Sequence, residues 1–573
     1  MVLYPLVPHM KIALLLFASS AAFAADASLS IKLDQAGYLP DAPKIAVVAA
    51  PKPAAEFLVR SSAGDAVVLR GKLTAARPDA DSGDAVQLAD FSSLTAPGRY
   101  YLEVPGVGRS WNFAIGADVY RRAYYLAMRS FYGQRCGTAV DLGPEFPGYR
   151  HDACHLEGAW HASSGKTGPH VSRAGWHDAG DYGRYIVNSG ISTGTLLWTW
   201  EMFAARVNPV KLNLPESGNG TPDILNEIKW NLDWMLTMQD DDGGVFPKQT
   251  SERFCGFVMP DKDTLVSYVV GTGQDPYKTS CSTADFAAVM AIAARAFRPF
   301  DRAYADRCLA AARKAWAWIA LHPDVIFHNP PGMNTGAYGD SNCADERLWA
   351  AAELARSTGD AMYENYFLAH YAEFHPAATR PQSWANVGNL ALWTYLLGGG
   401  KNPAAVAAIR RESLAAADGV VERTAANGYL NSLTGKDYEW GSNGNAANYA
   451  VQLLVANLIH PDLRYRNAAL DNLHYLLGRN AFSLSFVTRL GENPFRHPHN
   501  RLGAPNGNTE PWPGLLSGGP NPTREDPLTR QLPPGTPPAK MYLDELGSYS
   551  TNEIAINWNA ALVFTLAATL PAQ

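Results

Sequence analysis

The sequence predicts a mainly α protein, an (α/α)6 barrel preceded by a small all-β sandwich of immunoglobulin-like size, and three observations support this. Residues 28–117 consist of short β-branched and aromatic runs punctuated by Pro, Gly and Asp. From Asp118 the chain switches to twelve stretches with apolar residues at helical spacing, many of them Ala-rich. The links between those helices alternate in length. Six helical hairpins closed in a ring put every long link on one face, so that face carries the site.

Taken in order, the 573 residues divide into 1–24, 25–117 and 118–573. Residues 10–25 read as a secretory signal, with Met10-Lys11 as n-region, Ile12 to Phe17 as apolar core and Ala22-Phe23-Ala24 as cleavage site. The residues before Met10 read as an upstream start or a cloning remnant. No later stretch is long and apolar enough to span a membrane, so a soluble, secreted or periplasmic protein is expected, acting as a monomer. The net charge of -6 argues against a nucleic-acid partner.

In the β-rich part, Ile45 to Val48, Phe57 to Arg60, Ala66 to Leu69 and Tyr100 to Val104 read as strands, with Ala96-Pro97-Gly98 as a turn. The helices are expected near 118–132, 190–205, 222–239, 283–297, 301–320, 344–357, 360–374, 384–398, 402–417, 444–459, 462–478 and 552–569. Links 358–359, 399–401 and 460–461 are very short, whereas 133–189, 240–282, 321–343, 418–443 and 479–551 are long; 206–221 is the exception. Six cysteines in so long a chain are too few for a disulfide scaffold. Cys255 and Cys281 flank a polar loop and form the candidate disulfide, and Cys308 and Cys343 read as buried free thiols.

The first long link holds Gly175-Trp176-His177-Asp178-Ala179-Gly180-Asp181-Tyr182-Gly183. Glycines let the backbone turn tightly and approach a ligand, so Asp178 and Asp181 can enter one cleft and perturb each other. A solvated Asp-Gly turn needs no Trp176, His177 and Tyr182 around it; a cleft that stacks rings on pyranose faces does. The same link supplies Cys136, Cys154, His155 and His177, a Cys2His2 set suited to tetrahedral zinc, although the spacing equally fits unrelated thiols and surface histidines. In the third link Ser341, Asp345 and Glu346 bunch hard oxygen ligands suited to calcium, and serve equally as a helix cap. Trp440, before the tenth helix, is a sugar platform or a packed Trp. Glu553, at the start of the twelfth, either complements the helix dipole or is a carboxylic acid raised by Asp178 and Asp181, as a general acid needs.

With these residues in hand the chain resembles a glycoside hydrolase family 9 cellulase of the subgroup with an N-terminal immunoglobulin-like domain. The resemblance runs nearly end to end. Asp34 to Pro40 is similar to the opening of that domain, and Phe131 to Gly137, Gly175 to Gly183 and Asn219 to Leu225 match the catalytic domain. One family signature fits Ser485 through Gly491-Glu492-Asn493 to Arg501, and the other fits Tyr542, Asp544, Tyr549, Glu553, Ala555 and Asn559-Ala560. The resemblance implies hydrolysis of β-1,4-glucosidic bonds with inversion, Asp181 as base, Asp178 assisting it and Glu553 as acid. It implies substrate contacts at His499 and Arg501, with Trp440, Tyr338 and Asp544 as further candidates. It also implies zinc on Cys136, Cys154, His155 and His177, and calcium near Ser341, Asp345 and Glu346, with Asn386 where relatives tend to carry Asp. Arg489-Leu490, Asn500 and Pro247 likewise depart from the family pattern.

The expected activity is therefore a secreted endo-β-1,4-glucanase acting on a soluble β-1,4-glucan. An exo-acting member, a β-glucosaminidase or a cello-oligosaccharide hydrolase, is the alternative within enzymes. A non-catalytic polysaccharide-binding protein is disfavoured by the joint presence of Asp178, Asp181 and Glu553.

Overall fold

In the computed structural model, residues 27–572 are described apart from 378–379 and 504–509. The signal-like stretch at 10–25 lies outside the described residues.

The N-terminal β unit is two antiparallel sheets. One orders strands 31–32, 45–48, 85–90 and 77–78; the other orders 67–72, 56–61, 98–104 and 108–109, with 113–115 also pairing to 98–104. All four strands expected from sequence are present. Alternation along them sends Ile31, Ala46, Val48, Phe57, Val59, Leu102 and Phe113 into one shared core.

Thirteen helices follow among the described residues: α1 Arg121–Gly133, α2 Ile186–Val207, α3 Asp223–Thr237, α4 Ser280–Phe297, α5 Arg302–Leu321, α6 Ala344–Thr358, α7 Ala361–His370, α8 Gly388–Leu397, α9 Pro403–Ala426, α10 Ser442–Ile459, α11 Leu463–Leu476, α12 Tyr549–Asn552 and α13 Ile556–Thr569. Around the inner ring α10 packs on α13, α13 on α2, α2 on α4, α4 on α6 and α6 on α8. The outer layer sets α1 against α13, α3 against α2, α5 against α4, α7 against α6, and α9 and α11 against α10. Sequence separates the two layers. Inner α4 buries all but one of its residues, and α8 buries nine of its ten, whereas α5 and α9 bury a single stripe.

The twelve expected helices are all present, with two differences of substance. Helix α9 runs to Ala426 because Ala417, Val420 and Thr424 continue its buried stripe past Gly419. Glu553 is not helical: it has φ -66°, ψ 159° and lies in the link between α12 and α13. The long links also hold a five-stranded sheet, in the order 169–170, 159–162, 268–270, 248–250, 184–185, which ties the first link to the second. Cysteine pairing is corrected as well. Cys281 joins Cys343, not Cys255; Cys255 and Cys308 are free. Cys281 opens α4 and Cys343 precedes α6, neighbouring inner helices, whereas Cys255 sits on the second link beside Arg501.

The β unit is locked to the barrel by the segment read as its opening motif. Asp34 accepts from Tyr120 Oη (3.0 Å) and lies 2.8 Å from His474 Nδ1. Buried Gln35 donates to Ser483 O (3.0 Å) and accepts the backbone N–H of Glu492 (3.0 Å) and Asn493 (2.7 Å). That grip fixes the chain a few residues before His499. Gln35→Ala strands the backbone N–H groups of Glu492 and Asn493, an expected cost of about 2–4 kcal/mol, so thermal denaturation should show a midpoint lowered by several degrees; an unchanged midpoint contradicts this role.

Candidate active site

Three segments meet at the barrel face: 175–185, 497–501 and 549–556. The first folds back on itself, with Asp178 N–H donating to Gly183 O (3.0 Å), and is pinned to α13 by Ile556 N–H on Asp178 O (3.0 Å). The other two are held side by side by His499 N–H on Asn552 O (2.9 Å). Gly180 is the point of contact. A side chain there would put its Cβ 2.3 Å from His499 O and 3.1 Å from Glu553 Oε1. Only glycine allows this approach.

Each carboxylate has its own donors. Asp181 Oδ2 accepts from Tyr185 Oη (3.0 Å) and Gly183 N–H (3.0 Å), and Oδ1 carries no protein hydrogen bond among those described. Asp178, fully buried, accepts from Tyr338 Oη (2.5 Å) on Oδ2 and from Asn188 Nδ2 (2.7 Å) on Oδ1. Glu553 accepts from Gly180 N–H (3.3 Å) on Oε1 and from Trp440 Nε1 (3.1 Å) on Oε2. Burial first, and the charge of Asp181 second, push Asp178 up to about 8. The protein packed around Glu553, and then Asp181, push it up to about 8 as well. The site thus holds three carboxyl groups, two of them shifted toward the neutral form at pH 7.

The expected substrate contacts separate into two groups. His499 Nδ1 faces Leu546 O at 2.7 Å, which assigns the proton to Nδ1 and leaves Nε2 as an acceptor toward the cleft. Arg501 donates to Gly180 O (2.6 Å) and Cys255 O (3.0 Å) and lies 5.2 Å from the Phe257 ring centroid. Trp440 is 41% exposed at the mouth, and the Tyr338 ring packs at a tilt against that of Tyr185, 4.8 Å between centroids. Asp544 stands apart: its oxygens accept the N–H of Arg496 and His497 (both 2.8 Å), holding the segment that carries His499. Asn188 and Tyr185 were not singled out from sequence. Their signal was position, since α2 begins at Ile186 rather than near 190 and so brings Asn188 into its first turn under Asp178.

Behind the carboxylates, Cys136, Cys154, His155 and His177 bring their ligand atoms within 4.8 Å of one another. Backbone pairing explains the meeting: Cys136 N–H donates to Gly175 O and His177 N–H to Gln134 O (both 2.8 Å). Asp263 Oδ2 lies 3.5 Å from His155 Nε2, leaving Nδ1 turned toward Cys136 Sγ. A closed set of two thiolates and two imidazoles fits a tetrahedral metal. A second group forms around Glu346. Glu346 and Asp285, both fully buried, have no protein partner for either carboxylate oxygen, and Asp340 Oδ2 is also unpartnered. Such orphaned oxygens fit a hard cation. Asp345 Oδ2 is already bound by Val387 N–H (2.8 Å), and Ser341 lies at the exposed rim. Cys281, also near this group, is engaged in its disulfide.

With this geometry in view, comparison places the chain. The model of glycosyl hydrolase family 9 matches residues 120–566, and that of the cellulase N-terminal Ig-like domain matches 26–109. The chain belongs to glycosyl hydrolase family 9. Among relatives of this family 9 chain, endoglucanase D of Acetivibrio thermocellus is 41% identical over 94% of this chain and 83% of its own length. A xyloglucan-specific endo-β-1,4-glucanase of Bacteroides ovatus is 36% identical over 95% of this chain and 94% of its own. The crystal structure of the family 9 endoglucanase J30 superposes with a TM-score of 0.88 at 37% identity, covering 93% of this chain and all of that one. A zinc-binding triple mutant of J30 gives 0.87.

Gly180→Ala should fold, yet push the 499–501 and 553 segments off the Asp181 loop. Displacement of this order costs roughly 100-fold in rate, so kcat on soluble glucan should fall by about that factor with the fold intact by circular dichroism. Wild-type kcat would remove the close-approach constraint.

Proposed function

We propose that this family 9 hydrolase is an endo-acting β-1,4-glucanase that inverts the anomeric centre, with Asp181 as general base, Asp178 as its helper and Glu553 as general acid. The observation that supports it is the placement of two carboxyls of one loop opposite a third across Gly180. The donors on Asp181 Oδ2 leave its other oxygen to draw a proton from water. That water attacks the anomeric carbon as the glycosidic C–O bond breaks, and the departing oxygen takes the proton of Glu553. Asp181 then carries the water's proton and Glu553 is a carboxylate; exchange with solvent resets both. Inversion requires roughly 6.5–9.5 Å between the acting carboxyls to admit the water. Trp440 offers a ring face, and His499 Nε2 accepts from a sugar hydroxyl. A polymer substrate and the signal-like residues 10–25 both favour action outside the cytoplasm.

The four-residue set would hold zinc, and the unpartnered carboxylates of Asp285, Asp340 and Glu346 would hold calcium. Zinc would act structurally: His177 adjoins Asp178, so a pinned His177 fixes the direction of both carboxylates. Metal analysis of pure protein should find one zinc per chain, and Cys154→Ser should lose it together with thermal stability. Protein without zinc, or a metal-free Cys154→Ser variant of full stability, contradicts the assignment.

The chemistry is tested directly. Glu553→Gln and Asp181→Asn should each lose most activity while still binding oligosaccharide. Proton NMR of the first products should show the α-anomer released from a β-linked chain; initial β-anomer rejects these roles. Because the acid must be protonated, activity should fall as pH rises through about 8. Viscosity of carboxymethylcellulose should drop early. Steady release of monosaccharide alone, with viscosity held, would establish exo-action instead.

A further inference from the structure

The indole of Trp440 does more than offer a flat face at the cleft mouth. Its backbone is set by Gly441, which caps α10 at φ 94°, where a Cβ would also meet the Trp558 ring at 2.8 Å. This turn holds Trp440 out over the site, its ring 5.6 Å from that of Tyr549 and tilted 36°. In that position Nε1–H donates to Glu553 Oε2 at 3.1 Å. Gly180 N–H reaches the other oxygen at a longer 3.3 Å. Two donors from distant segments therefore each hold one oxygen of the same carboxyl group, and the indole is the shorter contact.

We infer that Trp440 is a positioning residue for the general acid, aiming the Glu553 carboxyl and stabilising the carboxylate as it forms. This rests on the reading of Glu553 as the acid. A donor bonded to a neutral carboxyl group gains strength when that group becomes charged, roughly doubling in energy. As the proton of Glu553 passes to the departing glycosidic oxygen and the C–O bond electrons move to that oxygen, negative charge spreads over both carboxyl oxygens. The Trp440 bond is then stronger in the transition state than in the bound ground state, which raises kcat rather than lowering KM. The remaining groups that face Glu553 are Asp181 and Asp178, which oppose its ionisation, Arg501, which favours it, Tyr338, whose hydroxyl is committed to Asp178, and His499 alongside. Besides the Gly180 amide, Trp440 supplies the only other hydrogen-bond donor to the Glu553 carboxyl group among the described residues.

Trp440→Phe tests this, because it keeps an aromatic face and removes the N–H. Its kcat should fall roughly tenfold, with KM for a soluble glucan changed by less than about twofold. The alkaline limb of its kcat profile should move to higher pH, since loss of a donor to the carboxylate raises the pKa of the acid. Trp440→Ala, which also removes the face, should raise KM as well. If Trp440→Phe keeps the wild-type kcat, or loses activity with its alkaline limb unmoved, the ring serves only for stacking and the inference is overturned. Glu553→Gln separates this from failure of the underlying reading. An active Glu553→Gln enzyme removes Glu553 as the acid, whereas an inactive one beside an unmoved Trp440→Phe limb removes only the role of the indole.

Discussion

The missing side chain of Gly180 is the constraint on which the site depends. Asp181 and Glu553 lie 372 positions apart in a 573-residue chain, yet they share one cleft because the backbone of one loop passes against the other with no room for a Cβ. The surrounding hydrogen bonds read as consequences of that approach. Arg501 closes on Gly180 O, Gly518 N–H donates to Glu553 O (2.7 Å), and Ile556 N–H donates to Asp178 O. Even the β unit participates at a distance, since Gln35 fixes residues 492–493 and thereby the approach of the chain to His499.

Placing three carboxyl groups so close is unfavourable in a low-dielectric cleft, and the structure meets the cost unequally. Asp178 receives a tyrosine and an amide donor, Asp181 a tyrosine and a backbone donor, and Glu553 an indole and a long backbone contact. Donors favour the ionised form and crowding opposes it. The balance raises Asp178 and Glu553, which is how one site keeps an acid protonated near neutral pH beside a base.

The barrel was legible because its evidence is local. Apolar spacing and alternating link lengths need no knowledge of what the links touch, so twelve helices emerged near their places. What the sequence could not display was pairing across long separations. The five-stranded sheet uses strands of two to four residues drawn from 159 to 270, too short for period-2 alternation to register. The Cys281–Cys343 bridge depends on α4 and α6 being ring neighbours. Glu553 looked like the start of a helix because Ile556 onward is strongly helical, but its bridge to His499 holds it extended. Asp178, Asp181 and Glu553 were found through motif residues; Asn188 and Tyr185, which hold the two aspartates, occupy ordinary positions whose purpose appears only when α2 is seen beneath the loop.

The third link shows how far support for a catalytic carboxylate can extend. Tyr338 donates to Asp178 from a backbone at φ 46°, a left-handed conformation that costs a non-glycine residue of order 1 kcal/mol. It persists because the surroundings fix it. Tyr185 and Trp384 pack against its ring, and the Cys281–Cys343 bridge lies in the same apolar cluster. Unpartnered oxygens of Asp340 and Glu346 gather beside Cys281 of this same bridge, and the unpartnered carboxylate of Asp285 feels the charge of Asp340. A cation neutralising them would hold together the segment that ends in Tyr338, just as a metal on His177 would hold the segment that ends in Asp178. The two halves of the Tyr338–Asp178 bond therefore each have a buried cluster of polar side chains behind them.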